Sequence, residues 1–259
     1  MLLAKEQLIT TIVIISAAAI LIALERKFPY NKGQGFFRDG LLDDFVFYNG
    51  LQNFLLGIII SWAIKAIDQS TNLSRLHIIS SWPIWLQIVF FVVTHDFYIY
   101  WFHRLQHKSK FLWRIHEAHH SNIQIDWLAG ARSHAFEILI NQTIEFAPIV
   151  LLGAAPEVAL YKGAISAIWG MYIHSNINVH SGPLQLFFNG PEMHRWHHSD
   201  DNDLAYNKNF STKLAIWDWI FGTAFFPKDL KAQKFGLSDV NFPKNYFKQF
   251  FFAFRRFDN

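Results

Sequence analysis

The hydrophobic and polar positions of this 259-residue chain fall in long blocks rather than in short alternation. Residues 8–24 form an apolar run without a charge, about long enough to cross a bilayer. It ends in Glu25-Arg26-Lys27-Phe28-Pro29 with no small-residue cleavage site, which argues for a retained helix rather than a signal peptide. A polar connector over 25–44 follows. The pattern predicts further spanning helices over 45–67, 82–102, 135–152 and 158–173. Gly153-Ala154-Ala155-Pro156 breaks the last two into a tight hairpin. Gly163, Ala167 and Gly170 offer small residues for close packing in the second arm. The expected fold is all-α: an integral membrane bundle of about four to five helices with a histidine-rich helical cap.

Three features modify the apolar blocks. Asn49, Gln52 and Asn53 sit early in the second run and should face protein. Glu137, Asn141 and Glu145, spaced i, i+4, i+8, form a polar stripe down the fourth, which should face the bundle or a site. The tail from 214 alternates aromatic and basic residues up to Phe257 and reads either as interfacial helices or as ordinary core helices. Three regions are expected: 1–44, an N-terminal helix and connector; 45–226, a catalytic unit; 227–259, an interfacial tail.

Composition narrows the class. Hydrophobic residues make up 52 % of the chain and mean hydropathy is positive, as in membrane proteins. The absence of cysteine removes disulfides, thiolate zinc sites, iron–sulfur clusters and a thiol nucleophile together. The net charge of +3 suits loops at an anionic leaflet and no nucleic-acid partner. Lysine and arginine concentrate in 25–38, 104–114 and 195–256, with Arg132. The connectors 68–81 and 153–157 hold only Arg75. The positive-inside rule then places the basic segments, and the histidines among them, on the cytoplasmic side of a multi-pass protein.

Twelve of the thirteen histidines lie between His95 and His198. Eight are clustered as His103-x3-His107, His116-x2-His119-His120 and His194-x2-His197-His198. On a helix, positions i and i+4 differ by about 40° and i and i+3 by about 60° the other way, so each cluster is expected to point its imidazoles at one place. A lone histidine is more often a hydrogen-bonded core residue than a ligand. Three repeats of helical spacing are a different matter, and eight imidazoles exceed what one tetrahedral zinc takes. They suit two ions. His134, His174 and His180 are further candidates. His95 is either a ligand or half of a buried His–Asp pair with Asp96. Glu137 is placed to orient a ligating histidine. Asp218 has either that role or a structural one. Isolated His77 should be solvated.

The same residues resemble the histidine boxes of the fatty acid hydroxylase/sterol desaturase superfamily. The text around the boxes is similar as well: Phe102–His107, His119-His120-Ser121, Arg132–Glu137, His174-Ser175-Asn176, Gly182-Pro183-Leu184, Met193–Ser199 and Trp217–Thr223. The likeness covers about residues 40–226. Asn207-Lys208-Asn209 and the following Trp-Asp run are also similar to the alkylglycerol monooxygenase branch. The resemblance implies a membrane-bound non-haem di-iron oxidoreductase that uses O2 to hydroxylate or desaturate a lipid of sterol, fatty acyl or alkylglycerol class. It implies two Fe ions, with Zn as a possible substituted metal, and an external cytochrome, ferredoxin or pterin-type donor. Asn176 joins His180 as a weaker candidate addition to the site. Two rivals compete. A membrane zinc hydrolase could use three imidazoles and a water, although His116-Glu117-Ala118-His119-His120 departs from His-Glu-x-x-His. A metal transport or binding protein would need ionisable groups through the midplane, for which the Glu137/Asn141/Glu145 stripe is the one path in the sequence.

Overall fold

The computed structural model describes residues 2–205, 207–239 and 241–256. The chain is a helical bundle. Its long helices are α1 (Leu2–Lys27), α2 (Asn53–Thr71), α3 (Ile84–Lys108), α5 (Ala135–Leu151) and α6 (Pro156–His174). A π-helical stretch, Asp43–Gln52, runs into α2 without a break. Shorter helices complete it: α4 (Lys110–His120), α7 (Pro191–His197), α8 (Asn202–Ala205), α9 (Ile216–Ile220) and α10 (Tyr246–Phe252). Among the described residues two isolated β-bridges form but no strand.

Among the described residues, three helices are long and apolar enough to cross a membrane: Leu3–Lys27, Asp43–Thr71 and Ile84–Lys108. Their outer faces carry exposed Ile12, Ile15, Phe54, Ile58 and Trp62, a pattern that suits lipid rather than water. The two further spans expected from the sequence form as helices, but α5 is 17 residues long and α6 buries a lysine, and neither meets that standard of length and apolarity. They make the predicted hairpin, which packs on the inner sides of α1, α2 and α3. Leu56, Ile60 and Ile64 of α2 pack against Ile138 and Leu139 of α5. Phe91, Ile149 and Val158 join α3, α5 and α6.

The polar stripe of α5 turns inward as expected. Glu137 meets His116, Asn141 accepts from the Tyr98 hydroxyl at 3.2 Å, and Glu145 pairs with Lys162. Lys162 is wholly buried and also donates to His95 Nδ1 at 2.8 Å. A buried cation without its anion is costly, so this triad fixes the register of α3, α5 and α6.

Four buried charges tie the connector to the loop after α4. Arg38 grips Asp126 through Nε at 2.7 Å and Nη2 at 2.8 Å, and Asp44 pairs with both Arg38 and Arg132. Gly40 has φ +76°, and a side chain there would strike the Arg132 guanidinium. The tail closes over this corner. Tyr48 donates to Gln249 at 2.6 Å, and Arg255 pairs with Glu117 at the start of the cap. Phe247, Phe251 and Phe254 remain outward, so the tail combines packing with an exposed aromatic face; Phe257 lies outside the described residues.

Replacing Lys162 by Met leaves Glu145 buried without its cation. It should cost about 3–5 kcal/mol of stability. The double variant Lys162→Met, Glu145→Leu should recover much of that loss, as read by thermal unfolding in detergent.

Candidate metal centre

Helix α3 carries the first box on its last two turns. Ser109 then adopts an extended conformation and caps α4, accepting from Leu112 N at 3.3 Å. This one-residue joint lays α4 beside α3, and the second box faces the first. Helix α7 brings the third box from the far side of the chain.

The structure sorts the histidines into two groups. His103, His107, His116, His120 and His197 form one, and His119, His174, His194 and His198 the other. Within each group one ring nitrogen per residue lies within 4.8 Å of all the others. The expectation that each box points at one place is corrected here. In the second and third boxes the i, i+4 pair (His116/His120 and His194/His198) shares a group, while His119 and His197, three residues after the first, cross to the other. The 100° step per residue separates them. The two groups abut, with His120 and His198 rings 4.5 Å apart.

Ring orientation is fixed from behind. Nδ1 of His103 donates to Phe210 O at 2.7 Å, that of His119 to Arg132 O at 3.1 Å, that of His174 to Gly170 O at 2.8 Å and that of His197 to Lys208 O at 2.9 Å. His116 Nδ1 meets Glu137 Oε1 at 2.9 Å. A carbonyl only accepts, so each of these rings carries its proton on Nδ1 and presents a bare lone pair at Nε2. Those lone pairs face one another. His119 and His174 Nε2 are 3.3 Å apart, and His103 and His116 Nε2 are 3.0 Å apart. Two acceptors at that distance repel. Metal–nitrogen bonds of about 2.1 Å would place neighbouring ligand nitrogens about 3.0 Å apart in an octahedron and about 3.4 Å apart in a tetrahedron. Among the described residues, His107 and His197 Nε2 are buried without a hydrogen-bond partner. The donor set therefore fits two cations.

Burial keeps the set neutral. All but His107 expose 9 % or less of their surface. Desolvation pushes His116 and His119 down to about 3, with neighbouring imidazoles adding to the effect at His119. His194, His197 and His198 are pushed well below the ordinary value for the same two reasons.

The remaining candidates sit elsewhere. His134 caps α5, accepting from Phe136 N at 3.2 Å, and stacks on Phe250. His180 is 84 % exposed and pairs with Glu192, because the 178–181 loop runs outside the bundle. His95 belongs to the Lys162 triad, and the His95–Asp96 pair does not form. Asp96 turns away to accept from Thr212 Oγ1, Lys213 N, Leu214 N and Trp217 Nε1. Asn176 pins the connector by exchanging two hydrogen bonds with the Asn31 backbone. Asp218 accepts from Phe210 N, Ser211 N and Thr223 Oγ1, so it supports the loop whose carbonyl orients His103. Exposed His77 lies in the loop after α2.

The orienting carbonyls escape sequence reasoning, since any residue supplies one. One signal marks them. Asn207 and Asn209 flank Lys208 at φ 57° and 55°, in the left-handed region that asparagine tolerates. Asn209 then ties the loop to Met193 O and Phe225 O.

Two openings reach the groups. One, of about 550 Å³, is polar and passes Lys108, Lys110, Asp200 and Asp239 to His107, His120, His197 and His198. Trp113 lines it, 5.0 Å from His107 and 5.3 Å from His120. The other, of about 240 Å³, lies among α3, α5 and α6 and touches His103, His116, His119, His174 and His194.

Comparison with known proteins agrees with this centre. The fatty acid hydroxylase family model matches residues 88–223. The chain belongs to the fatty acid hydroxylase family. Ornithine lipid hydroxylase OlsE of Rhizobium tropici is 32 % identical over 236 residues, covering 88 % of this chain and 70 % of that protein. Human alkylglycerol monooxygenase is 34 % identical over 128 residues, and sphingolipid C4-hydroxylase of Schizosaccharomyces pombe 32 % over 143. Those matches cover 49 % and 54 % of this chain but 28 % and 47 % of the two proteins. No solved structure matches. As a member of the family, the chain is a lipid-hydroxylase-type oxidoreductase, and its apolar helices and cavity suit a lipid substrate at a membrane.

Two outcomes follow from the geometry. A Cβ at Gly130 would sit 2.5 Å from His174 Nδ1. Gly130→Val should displace that ring and lower bound metal from about two ions to about one per chain, by elemental analysis. In metal-free protein the folded-state values of His116 and His119 lie below the unfolded one. Stability should be fully present above about pH 6.5 and fall as pH drops toward 3, by about 1.4 kcal/mol per pH unit for each such histidine. Denaturation series between pH 7 and 4 check this; a flat profile would contradict the burial argument.

Proposed function

We propose that the protein is an O2-dependent, di-iron hydroxylase of a membrane lipid, and that an ornithine-type lipid is its best candidate substrate. The observation that supports this most is the pair of imidazole groups with converging, unprotonated Nε2 atoms beside a cavity in the bundle. Imidazole suits iron and leaves coordination positions open, and soluble di-iron bundles solve the same problem with carboxylates. Two irons held there would supply O2 reduction and the removal of hydrogen from an unactivated C–H bond. Hydroxylation is favoured over desaturation because the similar proteins are named as hydroxylases and monooxygenases.

The chain's own residues do the rest. The nine clustered histidines are the ligands in this reading, split five and four. Glu137 holds the His116 proton on Nδ1 and sets that ring's direction. Phe210, Lys208, Arg132 and Gly170 do the same through their carbonyls. Asp218 positions the 210–211 loop and does not touch the reacting atoms. Lipid enters the α3–α5–α6 cavity from the bilayer, and placement of its carbon chooses the position attacked. A separate reductase or carrier supplies electrons at the polar opening, where Trp113 bridges to His107 and His120. By charge distribution that opening is cytoplasmic, on a multi-pass protein whose catalytic unit spans 45–226.

Elemental analysis of detergent-purified protein tests the centre. Wild type should carry about two irons, and the double variant His119→Ala, His197→Ala, which removes one ligand from each group, should lose them. One zinc and no iron, even from iron-fed anaerobic cells, would instead favour a hydrolase. Oxygen uptake that depends on added ornithine lipid and reductant, with an oxygen-bearing product by mass spectrometry, tests the reaction.

A further inference from the structure

The α3–α5–α6 cavity is lined mainly by apolar surface but also carries polar groups. Beside the histidines it is lined by His95, Asn141, Gln142, Glu145, Ser166 and Lys213. The charges around it are unequally satisfied. Glu145 is spent on Lys162 and on the Ser166 hydroxyl, which donates to it at 2.6 Å. Asp96, near the same lysines, uses its oxygens on four donors from 212–217. Lys213 is 7 % exposed and acts electrostatically on Glu145, Lys162 and His95, yet its ammonium makes no hydrogen bond or ion pair among the described residues. His95 is 8 % exposed. Its Nδ1 accepts from Lys162, so its proton sits on Nε2, and Nε2 has no hydrogen-bond partner among the described residues. One buried donor thus lacks an acceptor beside the cavity-lining Lys213, in a cavity that also touches both histidine groups. Buried polar groups are ordinarily satisfied. A cavity of about 240 Å³ accommodates an amino-acid-sized head.

We propose that this cavity is an anion subsite in which Lys213 and His95 Nε2–H hold the carboxylate of the lipid's head group, so that the carbon presented to the histidine centre lies in the head region and not in an acyl chain. The subsite rests on the lipid-hydroxylase reading and names the substrate's polar end. Lys213 supplies charge and His95 direction; Asn141 and Gln142 complete the polar wall. The Lys162–Glu145 pair fixes the tautomer of His95 without contacting the ligand.

Binding, rather than turnover, tests it. Full-length protein in phosphatidylcholine nanodiscs is titrated with N-dodecanoyl-ornithine bearing a free carboxylate, with its methyl ester, and with soluble N-acetyl-ornithine. Wild type should bind the free acid at least tenfold tighter than the ester. Lys213→Gln should abolish that preference while metal content stays at the wild-type level, and Lys213→Arg should restore part of it. His95→Phe should weaken binding of the acid and leave the ester unchanged. Soluble N-acetyl-ornithine should bind weakly but with the same dependence on Lys213, which marks a head-group site; equal binding of acid and ester by wild type, or retention of the preference in Lys213→Gln, would overturn the proposal. The outcome is separable from the reaction: selective binding without oxygen uptake would sink the hydroxylase reading and leave the subsite, and uptake with an acyl-chain product would do the reverse.

Discussion

Nine neutral imidazoles packed with their lone pairs toward one another are the constraint on which this fold depends. Without a cation the arrangement is repulsive, because His119 and His174, or His103 and His116, present two acceptors at hydrogen-bonding distance. With cations the same atoms become two ligand shells. The bundle exists to hold that arrangement rigid. Five of the nine rings are fixed at the back by a carbonyl or carboxylate, and those partners are held by a further tier: Asp218 beneath Phe210, Asn209 beside Lys208, and the Asp44–Arg132 pair beside the Arg132 carbonyl.

The metal-binding helices meet from three directions. Ser109 folds α4 back on α3, and α7 arrives after α6 has crossed the bundle. This explains the interleaving of the boxes. A helix that enters between two groups of ligands offers its i and i+4 positions to one and its i+3 position to the other. The centre therefore belongs to no single box, and removal of α4 or α7 would disable both groups.

Two openings meet at the site. On one side lies an opening edged with lysines and aspartates and lined by Trp113; on the other, a cavity among α3, α5 and α6. The proposed reaction, with electrons from water and substrate from lipid, uses both. The Lys162–Glu145–His95 triad lies between the lipid-facing helices and this cavity. It keeps charge inside an otherwise apolar bundle, where such groups are retained for position or for function.

Much of this was legible in the chain. The apolar blocks fixed the helices, the i, i+4, i+8 spacing of Glu137, Asn141 and Glu145 fixed their inward face, and the histidine spacing named eight of the nine clustered rings. Periodicity is local, and local geometry determines which residues share a helical face. It does not determine which faces meet. The ninth ring, His174, was one of three further candidates, favoured by the text around it, until α6 was placed beside Gly130. His134 and His180 matched it in type but end up in a cap and in solvent. Lys162 carried no signal in the sequence, and only the packing of α3, α5 and α6 made it the partner of Glu145 and His95. The carbonyls that orient the rings have no sequence signature beyond two asparagines at positive φ. Which histidines cluster was largely written in residue type and spacing; the division into five and four, the tautomers and the cavity were decided by tertiary contacts, because a lone pair's direction depends on what stands behind the ring.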